Sequence, residues 1–112
     1  MHVWLTPIVL LLASNVFMTI AWYGHLRHKQ VALTTVILVS WGIAFFEYCL
    51  QVPANRIGHA VYSAAQLKVI QEVLSLSVFA LFSVCYLGES LSWNHLAGFT
   101  LIAAGAALVF MA

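Results

Sequence analysis

Two carboxylates in this sequence lie inside apolar stretches, where a charge is costly. Glu47 follows Phe45 and Phe46 and precedes Tyr48, and Glu72 lies in a later apolar segment. An ionisable residue within a membrane is by default a candidate for function. The functional interpretation is that both acids line a water-accessible cavity and form a proton or substrate site.

The alternative is that these acids hold helices together. Lys68 and Glu72 have the i, i+4 spacing of an ion pair on one helix face. Glu47 could likewise pair with Arg56 or Lys68. A buried pair is weak evidence of stability, because desolvation can cancel the attraction between the charges. The residue types alone leave both interpretations open.

The composition identifies the solvent that surrounds these residues. Of the 112 residues, 64% are hydrophobic and 6% are charged, whereas soluble domains carry roughly a quarter charged residues. The outer surface must therefore face lipid. The net charge of +1 and the lack of a basic patch argue against nucleic acid as a partner.

Other chemistries have little support in the sequence. Cys49 and Cys85 form no CxxC motif and are interpreted as small core residues. The five histidines lack an acid or cysteine that would complete a metal site. No glycine-rich phosphate-binding loop and no catalytic set occur. We therefore predict neither a metal nor a cofactor, and no enzyme.

Long apolar segments set the architecture. Each is close to the roughly 20 residues that a helix needs to cross a bilayer, and a chain in lipid satisfies its backbone best as helix. Ser92 is a suitable N-cap for the last segment, whereas Pro53 and Gly58 favour a loop over 51–64. The prediction is one all-α domain, residues 1–112, with transmembrane helices over approximately 3–23, 32–50, 67–87 and 93–111.

The basic residues give almost no signal for orientation. Arg27 and Lys29 lie on one side of the predicted membrane, and Arg56 and Lys68 lie on the other. The positive-inside rule depends on a difference between the two sides. One interpretation is dual topology, in which the chain inserts both ways. The other is that Lys68 or Arg56 is buried, which leaves a fixed orientation.

Polar residues form one stripe on each of the second and third predicted helices. Glu47 lies near the end of the second helix and Glu72 near the start of the third. At 1.5 Å per residue both carboxylates should lie within roughly 10 Å of the same membrane face. The simplest arrangement turns the stripes toward each other. The predicted substrate or proton site comprises Asn15, Trp41, Glu47, Tyr48, Gln51, Asn55, Arg56, Lys68, Gln71 and Glu72, with the two aromatic residues in its wall.

The fourth segment has a different character, because it carries no charge and many small residues. Ala97 and Gly98 recur seven positions later as Ala104 and Gly105, on one helix face. Small residues let helices approach closely in lipid. We expect this face to be a subunit contact in a homodimer of eight helices, with packing inside one chain as the alternative.

The last pair of segments resembles a known signature. YLGESLSWNHLAGFTLIAAGAALV, residues 86–109, is similar to the sequence that ends helix pairs in the drug/metabolite transporter superfamily. The runs WYGH, WGIAFFEY, QVPANRIG and SAAQLKVIQE resemble one uncharacterised four-helix family of that superfamily, related to small multidrug resistance and EamA-type proteins. This second resemblance covers nearly the whole chain.

Small multidrug resistance proteins imply a mechanism that does not transfer directly. They are proton-coupled exporters of cationic drugs, and they work as antiparallel homodimers with an essential glutamate in the middle of the first helix. The first segment of this chain contains no acid, and Asn15 is its strongest polar residue. If an acid has that role here, it must be Glu47 or Glu72.

The sequence therefore predicts a small homodimeric transporter that moves a small organic or amphipathic solute by alternating access, with possible proton coupling. One alternative is a lipid or lysolipid flippase of the same fold. Another is a membrane subunit for interaction or assembly that transports nothing. We expect an integral protein of a bacterial inner membrane, whose partners are lipid, a second copy and an unknown solute. Parallel and antiparallel dimers both stay open.

Overall fold

The computed structural model describes the backbone of residues 2–112 and the side chains from Trp4 onward. Its four helices are α1 (His2–Tyr23), α2 (Leu33–Gly58), α3 (Ala64–Cys85) and α4 (Trp93–Met111), with a 3₁₀ turn over Gly24–Arg27 after α1. All four are long and apolar enough to cross a membrane, and the described residues contain no strand. The predicted all-α fold with four helices able to span a membrane is thereby confirmed.

The end of α2 differs from the prediction. The helix continues through Pro53 and ends at Gly58, eight residues beyond the predicted end. A proline removes one backbone donor and crowds one carbonyl, but neighbouring groups can compensate for this within a membrane helix. Most of the predicted loop is therefore helix, and only a short link to α3 is left.

Serine caps fix the starts of α3 and α4. Ser63 accepts from the backbone N–H of Gln66, and the Gln66 side chain accepts from Ser63 N–H in return. This capping box starts α3 three residues earlier than predicted, and α3 also ends two residues earlier, at Cys85. Ser92 caps α4 with His95 in the same way, so the predicted N-cap is confirmed.

The helices pack in the order α2–α1–α3–α4, so that α1 lies between α2 and α3. α1 packs against α2 on one side and α3 on the other, α4 packs against α3, and α2 barely touches α3. The molecule measures 45 × 35 × 19 Å, so its thin dimension is about two helix diameters. α1 carries more buried residues than any other helix, and α4 buries only Ala106.

α1, the end of α2 and the start of α3 pack closely together. Leu11, Ala54, Tyr62 and Leu67 form the buried apolar core. Gly58 is closely packed beside it: a Cβ at this position would lie 2.7 Å from Leu67 Cδ2 and 3.0 Å from the Cβ of Pro7. The absence of a side chain at Gly58 is what allows the three helices to meet this closely.

The link between α3 and α4 is a fixed turn. Gly88 has φ of +73°, in the left-handed region that favours glycine. Glu89 donates its backbone N–H to the Ser83 carbonyl at 3.0 Å, and its carboxylate accepts from the Ser83 hydroxyl at 3.1 Å. The third acid of the chain is thus used to close a turn.

Candidate functional site

A chain of hydrogen bonds joins polar side chains of α1, α2 and α3. The Ser14 hydroxyl lies 3.2 Å from Glu47 Oε1 and 3.4 Å from Gln51 Oε1, and it carries one proton to share between them. Gln51 donates from Nε2 to Gln71 Oε1 at 3.1 Å. These four residues are called the polar cluster below. The cluster brings together Glu47, Gln51 and Gln71, three residues of the site predicted from sequence.

Glu47 lies deeper in the helix than the sequence suggested. Because α2 continues to Gly58, Glu47 lies about 16 Å from the helix end, near the middle of α2. Its side chain is 7% exposed and Ser14 is completely buried. The expected depth rested on the expected loop at 51–64, most of which is helix.

The surroundings of Glu47 make its charge costly. Among the described residues it has one hydrogen-bond donor, Ser14, and no ion pair. A buried carboxylate costs free energy unless it is paired and hydrogen-bonded. Binding a proton, or a cationic or hydrogen-bond-donating group of a solute, would remove that cost. The cluster is therefore chemically suited to exchange a proton or to hold a solute.

Glu72 lies elsewhere, on the outer surface of α3. Its carboxylate is 3.0 Å from Lys68 Nζ, and the two side chains are 48% and 70% exposed. The i, i+4 pair expected from sequence is thus formed, but the polar stripe of α3 does not turn Glu72 toward Glu47. Successive side chains on a helix point in directions about 100° apart around its axis. Gln71, the neighbour of Glu72, therefore reaches the cluster instead.

The other predicted residues separate into buried, outward-facing and rim positions. Asn15 is completely buried, donates to the Leu11 carbonyl of its own helix at 2.8 Å, and leaves Oδ1 without a partner among the described atoms. Trp41 and Tyr48 are exposed, at 71% and 66%, so neither forms the expected wall in this chain. Asn55 and Arg56 lie at the rim of a cleft described below.

Ser14 is the member that sequence reasoning missed. The sequence instead favours Asn15, the residue beside it, because an amide is the stronger polar group. Both are buried, as is Thr19 further along α1. The available signal was a run of polar residues, Ser14, Asn15 and Thr19, on a helix that carries no charge. The sequence could not show which residue of that run faces α2.

Two cavities lie on either side of the cluster along the helix axes. The first, of about 540 Å³, is apolar and is formed near the 3₁₀ turn by α1, α2 and α3, with Ile20, Val39 and Phe82 in its wall. The second, of about 590 Å³, lies between the end of α2 and the start of α3 and is called the α2–α3 cleft. On α2 the first cavity reaches Ile43 and the cleft begins at Val52. Glu47 therefore stands between them.

The small residues of α4 face away from the other helices. Ala97, Ala104 and Gly105 are exposed and Gly98 is half-buried. No described atom lies within 4 Å of where a Cβ would stand at Gly98 or Gly105. The alternative of close packing at these glycines inside one chain thus finds no contact in the described structure.

Comparison with known proteins gives one match. Residues 7–110 match the family DMT_6, whose description is "Putative member of DMT superfamily (DUF486)". No curated protein matches the chain, and no solved structure does.

Proposed function

The chain belongs to the DMT_6 family of the drug/metabolite transporter superfamily, and from this we propose that it is a small transporter working by alternating access. Membership of this family suggests a transporter-like role. In this proposal the transported solute is a small organic or amphipathic molecule. The observation that supports this most is the position of Glu47 along α2, between two cavities that lie near opposite helix ends. A solute or proton at such a site can be reached from either side in turn.

The polar cluster supplies the movable part of this mechanism. α2 and α3 barely pack against each other, and the hydrogen bond from Gln51 to Gln71 links them directly. Ser14 can donate to Glu47 or to Gln51. When Glu47 is neutralised by a proton or a solute, Ser14 is released to Gln51, and the link to Gln71 is altered. The charge state of Glu47 is thereby coupled to the gap between α2 and α3.

A homodimer through α4 completes the proposal. A single slab of four helices, 19 Å thick, leaves little room to enclose a path for a solute. The open face with Gly98 and Gly105 has the small residues that allow close helix contact in lipid. Arg56 and Lys68 are both exposed, so both count toward orientation and the charge balance stays two against two. We propose dual topology and an antiparallel pair.

The test uses the protein reconstituted into liposomes with a trapped pH indicator. Organic cations, amino acids, polyamines and lysolipids are added in turn, and the internal pH reports proton movement coupled to solute entry. We expect at least one class to give a signal that Glu47→Gln abolishes. Glu72→Gln is the matched control, because it removes an acid whose ion pair is exposed and contributes about 0–1 kcal/mol.

The outcomes separate the alternatives. Solute-driven proton movement that survives in Glu47→Gln would show that this acid is structural. A tracer solute that enters without any proton movement would keep the transporter but remove the coupling. A folded protein that moves none of the solutes would favour a membrane subunit for interaction or assembly.

A further inference from the structure

We propose that the α2–α3 cleft binds an anionic oxygen group, a phosphate or carboxylate, of the molecule that this protein handles. This inference rests on the proposed transport function and adds the chemical class of the substrate. The cleft lies between two helices that barely touch. It is lined by Asn55, Arg56, His59, Lys68 and Gln71, with Leu67 in its apolar wall.

The charge of the cleft is the first argument. It contains two of the four basic residues of the chain, one from each helix. Arg27, by comparison, lies 4.9 Å from the ring centre of Tyr86, at the other end of the molecule. Among the described residues Arg56 has neither an ion pair nor a hydrogen bond from its side chain. A guanidinium with its donors unused matches the paired oxygens of a phosphate or carboxylate.

The acid near the cleft does not cancel this charge. Glu72 is held by Lys68 at 3.0 Å, but the pair is exposed and its stability is small. Lys68 has three donors, so it can keep Glu72 and still turn a second N–H toward an anion. His59 donates Nδ1–H to the Tyr62 carbonyl at 3.2 Å, since a carbonyl can only accept. These contacts leave Arg56 and Lys68 as the cations that an anion would meet.

The N-terminus of α3 adds a further contribution. Ala64, its first residue, lines the same cleft. The free backbone N–H groups of a first helical turn carry partial positive charge and favour anions. Ser63 occupies only the N–H of Gln66 in this turn. Side-chain cations and helix dipole therefore act in the same direction.

The cleft is connected to the buried carboxylate by hydrogen bonds. Gln71 lines the cleft and accepts from Gln51, which accepts from Ser14, the donor to Glu47. An anion that draws Gln71 toward itself would disturb the same series of hydrogen bonds that responds to the charge of Glu47. The cations lie near the ends of α2 and α3, two helices that are long enough to cross a membrane. The anion could come from a dissolved solute or from a lipid.

The experiment measures binding to the full chain in lipid nanodiscs. In one arm, inorganic phosphate is titrated at constant ionic strength into phosphatidylcholine nanodiscs, and the melting temperature gives an apparent Kd. In the other arm, part of the phosphatidylcholine is replaced by phosphatidylglycerol. We expect one arm to stabilise the parent protein. Arg56→Gln should weaken phosphate binding about tenfold, equivalent to about 1.4 kcal/mol, or abolish the lipid effect.

Lys29→Gln is the matched control, because it removes one exposed positive charge from the opposite end of the molecule. It should keep the full effect, and if Arg56→Gln does not fold, Lys68→Gln replaces it. The inference is overturned if neither anion stabilises the parent, or if the control loses the effect equally. Binding is read without transport, so a negative result leaves alternating access at Glu47 standing. Conversely, a protein that binds anions in this cleft but moves no solute would contradict only the transport proposal.

Discussion

Adding a methyl group at Gly58 should destabilise the protein, although the same change stabilises most helices. The new Cβ would lie 2.7 Å from Leu67 Cδ2, 3.0 Å from Pro7 Cβ and 3.3 Å from Pro7 Cγ. Ordinary contact needs at least about 3.5 Å, so Leu67 would have to move by nearly an ångström. Leu67 is 5% exposed and Pro7 is completely buried and has a rigid ring. Neither neighbour can yield freely.

The magnitude follows from two opposing contributions. Overpacking a filled site costs about 1–3 kcal/mol, whereas replacing a helical glycine by alanine gains about 0.5–1 kcal/mol. Gly42 provides the matched control, because it lies inside α2 with nothing described within 4 Å of its missing Cβ. Gly42→Ala should show the gain alone. We expect Gly58→Ala to be about 1–3 kcal/mol less stable than Gly42→Ala.

The measurement is the free energy of unfolding in mixed micelles, obtained by titration with dodecyl sulfate and followed by far-ultraviolet circular dichroism. The parent and both variants are compared at the same lipid-to-detergent ratio. If Gly58→Ala proves as stable as Gly42→Ala, the close approach of α1, α2 and α3 at this point does not exist. The geometry of the α2–α3 cleft would then fail with it, since Leu67 belongs to both.

Two further predictions concern assembly. Replacing Gly98 and Gly105 together by leucine should lower the yield of chemically crosslinked dimer. The melting temperature of the chain should stay unchanged, because the glycines have no close neighbour in the chain. An unfolded monomer with normal dimer yield would place the contact elsewhere. C-terminal reporters should score on both sides of the membrane, and two lysines added beside Lys29 should shift the population to one side. A single orientation in the unmodified chain would exclude dual topology.

Composition and segment length were sufficient for the four spans, because the hydrophobic requirement of a bilayer leaves few alternatives. The start of α4 was also predictable, since Ser92 directly precedes an apolar run. The end of α2 was not, because Pro53 breaks a helix in water more often than it does in a packed membrane protein. The short capped link between α2 and α3 was not predictable for the same reason.

The site was predictable only to the level of which helices contribute to it. The choice between Gln71 and Glu72, or between Ser14 and Asn15, depends on a rotation of about 100° about a helix axis. Weak amphipathicity does not fix that rotation in lipid, where apolar residues occur on every face. Packing against α1 decides it, and a single sequence contains little information about such packing. Of the two predicted acids, Glu47 lies in the polar cluster and Glu72 lies on the surface of α3.

The position of α1 between α2 and α3 also bears on the order in which the chain can assemble during synthesis. α1 precedes the other three helices, and domains form from the N-terminal side as the chain emerges. When α2 and α3 are inserted, α1, against which both pack, is already in the membrane. When α4 is inserted, its neighbour α3 is already there. Asn15 bonds to the Leu11 carbonyl of its own helix, so its amide is partly satisfied before any partner arrives. Each insertion step can therefore be completed without waiting for a later helix.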